Sequence, residues 1–157
     1  KSTFCRRLTK ALDIPLFSID KIQWKPGWVL AHEKEFAQKH SAIMEKESWL
    51  IDGFGPWKYV EQRLNKADLI LFFDLPIYTH YYWATKRQIK CLFKPRIDAP
   101  KGCPMLPVTF KLYKTIWHIH KTIRPKILEA CDQYQSKVIH IKKPKDIKVL
   151  LSDLPIP

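Results

Sequence analysis

The stretch ADLILFFDLP, residues 67–76, narrows the possible folds more than any other part of this 157-residue chain. Leu69 to Phe73 are apolar without interruption. A strand that faces water on one side alternates apolar and polar residues; an unbroken run predicts burial on both faces, as in a parallel sheet. Parallel strands cannot be joined by a tight turn. Each needs a crossover of a dozen or more residues, usually a helix. The rest of the chain must therefore supply helices between short strands.

It does so. Phe4, Cys5, Leu8, Ala11 and Leu12 recur at helical spacing, and Pro15 ends that helix. PLFSID reads as a strand ending at Asp20, followed by a turn-rich loop, KIQWKPGW, that holds Trp24 and Trp28. Phe36, His40, Ile43 and Met44 mark a second helix over 32–47. SWLIDG is a strand stopped by Gly53, and PWKYVEQRLNKA a helix with Pro56 at its start. A helix over 78–91 follows the 67–76 strand. Val108, Leu112, Ile116, Ile119, Ile123 and Ile127 then predict a long helix that Pro125 should kink or split. KVIHI is a last strand and PKDIKVLLSDL a last helix. Strands alternating with helices of this length predict an α/β fold, a parallel sheet covered by helices on both faces. The pattern also calls for one more strand ahead of the first helix. Length suits one domain, 1–157.

Residues 93–107 break the rhythm. FKPRIDAPKGCPMLP is rich in proline and carries Lys94, Arg96 and Lys101. It reads as a mobile basic insertion, and residues 90–107 as a lid closing over a bound group.

Several classes of function drop out. No apolar run approaches the ~20 residues that cross a bilayer, and no signal-peptide pattern is present, so a cytoplasmic protein without a membrane partner is expected. The four cysteines are scattered without a CxxC pair, which argues against structural zinc or a disulfide framework. His118 and His120 are two apart, which on a helix turns them to different faces. Lys and Arg number 28 against 15 Asp and Glu, a net charge of +13. Such a charge draws nucleotides and nucleic acids alike. No helix-turn-helix, zinc-finger or basic-zipper pattern accompanies it. The sequence sets no oligomeric state.

In open parallel sheets ligands bind at the carboxyl ends of the strands. Those ends carry Asp20, Asp52 and Asp74, the last read as a turn residue before Leu75-Pro76. The first helix starts at the same rim with Lys1, Ser2 and Thr3. A helix amino end offers free N–H groups and a positive dipole to anions. A lysine for phosphates, a hydroxyl oxygen and carboxylates for Mg²⁺ and its waters suit Mg·ATP. Lys1 and Ser2 fit the end of a G-x-x-x-x-G-K-[ST] loop whose glycines would precede Lys1. The alternative is a helix cap by Ser2 or Thr3. Arg87, Arg96 and Arg124 are candidate cations for the transferring phosphoryl group, with surface ion pairs as the alternative. Arg63, in mid-helix, reads as a surface residue. Trp24 and Trp28 could stack on a ring or anchor their loop.

SIDKIQWKPGW, WLIDGF, ADLILFFDLP and KGCP resemble, in this order and over nearly the whole chain, the bacterial proteins labelled DNA topology modulation proteins. These are adenylate-kinase-like P-loop proteins related to small nucleoside and nucleotide kinases. The resemblance implies a three-layer α/β/α P-loop fold, ATP and Mg²⁺ as cofactors, and a nucleotide or small-molecule phosphate acceptor. It implies that Lys1 meets the β- and γ-phosphates, Ser2 ligates Mg²⁺ and Thr3 lies near the α/β-phosphates. It places Asp20 toward the acceptor, where it would orient or deprotonate it, and Asp52 near Mg²⁺ and acceptor, with Gly53 allowing close backbone approach. Gly55, Pro56 and Trp57 stand where adenylate kinases carry a monophosphate-binding arginine, so an AMP acceptor is not carried over. The family label adds two alternatives: a DNA-binding protein acting on topology, and a nucleotide-binding regulator without turnover.

Overall fold

Eight α-helices and six short strands lie along the described residues, 2–93 and 102–152, of the structure, a computed structural model, together with short 3-10 turns and one π-helical stretch. The chain is a mixed α/β protein whose longer pairings are parallel. The described residues fall into two compact units: 2–66 with 102–103 and 145–152, and 67–93 with 104–144.

In the first unit, α1 (Ser2–Leu12) buries Phe4, Cys5 and Leu8, the stripe its spacing predicts. It ends with Asp13 in the left-handed region (φ 52°), just before Pro15. β1 (Leu16–Ser18) pairs in parallel with β4 (Leu50–Asp52), Ser18 opposite Asp52. β1 is shorter than the strand read to Asp20. The chain coils into α2 (Ile19–Gln23) at Ile19, so Asp20 occupies a first helical turn. The cause is burial: Ile19 is wholly enclosed and anchors the cluster it forms with Phe36 and Tyr59, lined by Ile22, Ala37 and Ile51. β2 (Trp24–Lys25) and β3 (Val29–Leu30) make a small antiparallel pair around Pro26–Trp28. Trp24 and Trp28 meet there edge-to-face, ring centroids 5.8 Å apart. α3 (Glu33–Met44) and α4 (Trp57–Lys66) cover the cluster.

In the second unit, β5 (Ile70–Phe73) pairs in parallel with β6 (Val138–Ile141). The expected burial of both strand faces is not complete: Ile70–Phe73 are half-buried, and Leu69, outside the strand, is 56% exposed. α5 (Ile77–Cys91) packs on α6 (Thr109–His118). The long helix expected through Pro125 is interrupted as anticipated. A π-helical stretch, Ile119–Ile123, precedes α7 (Arg124–Gln133). Pro125 has no N–H to give, and its ring would crowd the carbonyl four residues back; the wider turn takes up the mismatch. α8 (Pro144–Ser152) follows β6 in the chain and, from Lys145 on, belongs to the first unit.

The 93–107 segment is not all outside the core. Cys103 is buried, with its Sγ donating to the Lys25 carbonyl at 3.2 Å, and the Gly27 N–H donates to the Gly102 carbonyl at 2.8 Å. Met105 is buried as well. Lys94, Arg96 and Lys101, and with them residues 94–101 of the lid expected at 90–107, lie outside the described residues. Among the described residues no disulfide joins the cysteines, and no helix is long and apolar enough to cross a membrane.

Candidate functional site

Two of the residues singled out by sequence meet directly. Ser2, the first residue of α1, donates its hydroxyl to Asp52 Oδ2 at 2.8 Å. Fifty positions separate them, so the contact is a product of packing: α1 lies on β4, which sets the helix's amino end at the strand's carboxyl end. Asp52 is buried, and its strand neighbour is Ser18, the residue that opens α2. Asp20 follows two positions later. A hydroxyl, a helix amino terminus and the Asp52 carboxylate thus meet at one sheet edge. Thr3, next along α1, is exposed, and its Oγ1 accepts from Arg6 at 3.4 Å.

The turn after Asp52 is held with little room for variation. Gly53 has φ +130°, and a Cβ there would stand 2.7 Å from Ile19 Cβ. Glycine is required both for the backbone angle and for the close approach to α2. Arg63 completes the support from α4. Its Nε donates to the Tyr59 carbonyl at 3.0 Å, Nη1 to the Gly53 carbonyl at 3.3 Å, and Nη2 to the Phe54 carbonyl. Arg63 is buried, and burial pushes its pKa down to about 10, so it remains cationic at neutral pH. This corrects the expectation of a surface residue. The signal was present: Tyr59, Val60 and Arg63 share one face of α4, and all are buried.

His40 lies behind Arg63. It is wholly enclosed, nearly parallel to Phe36 at 6.0 Å and tilted on Tyr59 at 4.9 Å. Burial, and then the Arg63 charge, hold its pKa below the ordinary histidine value. The imidazole is therefore neutral and serves as an aromatic wall.

Beside this core, a cavity of about 330 Å³ opens between α2, β3, α3 and the start of α4. Gln23, Leu30, Phe36, Pro56 and Tyr59 line it, and the Glu33–Lys58 ion pair stands at its wall. Gln23 is three residues beyond Asp20, on the same side of the short helix.

The other candidates belong to the second unit or lie beyond the described residues. Arg124 grips Asp74 with two prongs, Nε to Oδ1 at 2.6 Å and Nη2 to Oδ2 at 2.8 Å. The pairing raises the Arg124 pKa. Asp74, read as a turn residue, is thus the buried half of an ion pair. Arg87 is half-buried on α5. Lys1 and Arg96 are outside the described residues.

Among the described residues no cluster of three or more His, Cys, Asp or Glu could cage a metal. The Ser2–Asp52 pair still fits Mg²⁺. That ion takes hard oxygen donors, keeps several waters, and is bound in nucleotide sites through one or two protein oxygens and the substrate phosphates. Compared with known proteins, the chain matches no family model, no curated protein and no solved structure.

Proposed function

We propose that this protein is an ATP-dependent phosphotransferase of the small nucleoside- or nucleotide-kinase kind, built on a P-loop α/β/α fold. The observation that carries the reading is the Ser2 hydroxyl held 2.8 Å from the Asp52 carboxylate where the amino end of α1 meets the carboxyl end of β4. That juxtaposition is what a Mg·ATP site needs: anion-binding N–H groups beside hard oxygen donors. In this reading Ser2 and Asp52 hold Mg²⁺, which supplies charge neutralisation across the phosphates. Lys1, which precedes Ser2 in the sequence, would meet the β- and γ-phosphates.

Phosphoryl transfer asks the protein for positioning and charge stabilisation, with no covalent intermediate on the enzyme. Asp20 accepts a hydrogen bond from the acceptor hydroxyl and takes its proton as the oxygen bonds to the γ-phosphorus and ADP leaves. The acceptor's body lies in the cavity beside α2. Its apolar floor of Phe36, Tyr59 and Leu30 suits a ring, and Gln23 can hydrogen-bond its edge. Arg63 and Gly53 act at one remove, fixing the turn that aims Asp52.

The test is phosphate transfer from radiolabelled Mg·ATP to a panel of nucleosides and nucleotides by the full-length protein. Wild type transfers label to at least one member. Asp52→Asn and Lys1→Ala lose transfer while keeping the wild-type circular-dichroism spectrum. Failure of wild type both to bind Mg·ATP and to transfer label to any member overturns the reading.

A further inference from the structure

The second unit carries a surface that phosphotransfer does not use. From α5 through the π-helical stretch the described chain contains no acidic residue; Asp98 is the one acid in sequence between Asp74 and Glu129. The same elements carry Lys86, Arg87, Lys90, Lys111, Lys114 and Lys121. They also expose rings: Tyr78 is 72% exposed, Tyr82 61%, Phe110 76% and Trp117 53%. Isolated exposed aromatics are ordinary; several on one face are not.

They do share a face. Gln88 Nε2 donates to Thr109 Oγ1 at 3.1 Å, and Tyr81 OH donates to the Tyr113 carbonyl at 3.3 Å. Later residues of α5 therefore meet earlier residues of α6, and the pair is antiparallel. Tyr81, Thr85 and Gln88 form the α5 side of the seam; Thr109 and Tyr113 form the α6 side. Each step along a helix turns the side chain by about 100°. In an antiparallel pair, the residues one step past the seam on each helix swing to the same side. Those residues are Tyr82, Lys86 and Ile89 on α5, and Phe110 and Lys114 on α6, with Tyr78 and Trp117 on the same side by their spacing. Lysine ammonium groups sit over the rings: Lys86 over Tyr82 at 5.8 Å, Lys114 over Phe110 at 5.7 Å and Lys121 over Trp117 at 5.2 Å. A hollow of about 410 Å³ lies among Tyr82, Thr85, Lys86, Ile89 and Lys90.

We propose that this α5–α6 face binds single-stranded nucleic acid. Such strands are held by rings on which bases stack and by cations that follow the backbone, and both occur here on one face. In each of the three pairs ring and lysine lie four residues apart, an axial rise of about 6 Å. The charge of the face is complementary to a phosphate chain. An anionic membrane would ask for a different arrangement. Interfacial helices put apolar residues on one face and lysines on the other, whereas here the lysines lie over the rings and would have to enter the lipid with them.

Titration of full-length protein against a fluorescein-labelled mixed-sequence 20-mer, read by anisotropy, tests this. Saturable binding is expected, tighter than to the matching duplex, with log K falling as log salt rises. Tyr82→Ala and Trp117→Ala should each weaken binding by about tenfold, as for one lost base stack. Lys114→Gln should reduce the salt slope by about 0.7, the share of one single-strand phosphate contact. All three positions are exposed, and unchanged thermal melts confirm that the variants fold. The proposal is overturned by absence of binding at 150 mM salt, a concentration near the physiological value, or by ring variants that bind like wild type. It is equally overturned if the rings are needed for binding phosphatidylserine vesicles or for self-association and the oligonucleotide is not bound.

Discussion

Gly53→Ala isolates the contact that aims Asp52. The new Cβ would lie 2.7 Å from Ile19 Cβ and 3.3 Å from the Ile19 backbone nitrogen. Carbon atoms rest at about 3.5–4.0 Å, so the strand end and α2 must part by about 1 Å. No rotamer relieves this, because Cβ and N are fixed to the backbone of a wholly buried residue. The angle φ +130° adds strain of about 1–3 kcal/mol, and overpacking adds about 1–3 kcal/mol. The sum is about 4 kcal/mol, or about 10 °C in melting temperature at this chain length. Gly27→Ala is the internal control. Its φ of +76° is also left-handed, but its Cβ would meet nothing within 4 Å. Only the conformational cost applies there, about 1–2 kcal/mol. Thermal melts of both variants, followed by far-ultraviolet circular dichroism, compare the two. A double-mutant cycle adds Ile19→Ala, which removes Cγ1 at 3.3 Å but keeps Cβ at 2.7 Å and the backbone nitrogen, the fixed atoms of the clash, and so should not rescue Gly53→Ala. Equal losses at the two glycines, or a favourable coupling of Gly53→Ala with Ile19→Ala, would refute the contact argument.

The neutral state of His40 carries a pH dependence. Its folded pKa is depressed below 6.5 by burial and then by Arg63, so between the two values the unfolded chain binds a proton that the folded chain does not. Stability should therefore fall as pH drops below about 6.5. His40→Phe should flatten urea-derived stability between pH 7 and 5, leaving the His80 contribution of the same sign, also caused chiefly by burial. Arg63→Met leaves the Gly53 and Phe54 carbonyls without their guanidinium donor. A loss of about 3 kcal/mol in urea melts is expected, accompanied by impaired Mg·ATP binding at temperatures where the variant is folded. The Arg124–Asp74 pair joins a buried carboxylate to a guanidinium whose side chain is 38% exposed. A double-mutant cycle with Arg124→Gln and Asp74→Asn should give a coupling of about 1 kcal/mol, reduced in 1 M salt; zero coupling would show that the contact contributes nothing in solution.

Much of the fold was legible because it rests on local rules. The stripes of α1, α3 and α4, the breaks at Pro15 and Pro125, and the strands at 50–52, 70–73 and 138–141 follow from spacing, proline geometry and apolar runs. The candidate site was legible in part. Ser2 and Asp52 stood out as the right chemistry at the right ends of their elements. Arg63 did not, because arginine is usually a surface residue, even though its spacing from Tyr59 set it on the buried face. The early end of β1 could not be read from PLFSID either. Ile19 fits a strand as well as a helix, and burial against Phe36 and Tyr59 decided the matter.

The amino-acid sequence by itself determined the class: an α/β alternation, the periodicity of each helix, a strongly basic surface and the residue types at the strand ends. These are properties of neighbours in the chain, where sterics and spacing act over a few residues. Only the tertiary structure decided which distant residues meet. It joined Ser2 to Asp52 and Arg124 to Asp74, each across 50 positions, and brought the rings of α5 and α6 to one face. Such contacts depend on how helices and strands pack, and a hydroxyl or a guanidinium carries no mark in the sequence of the partner it will find.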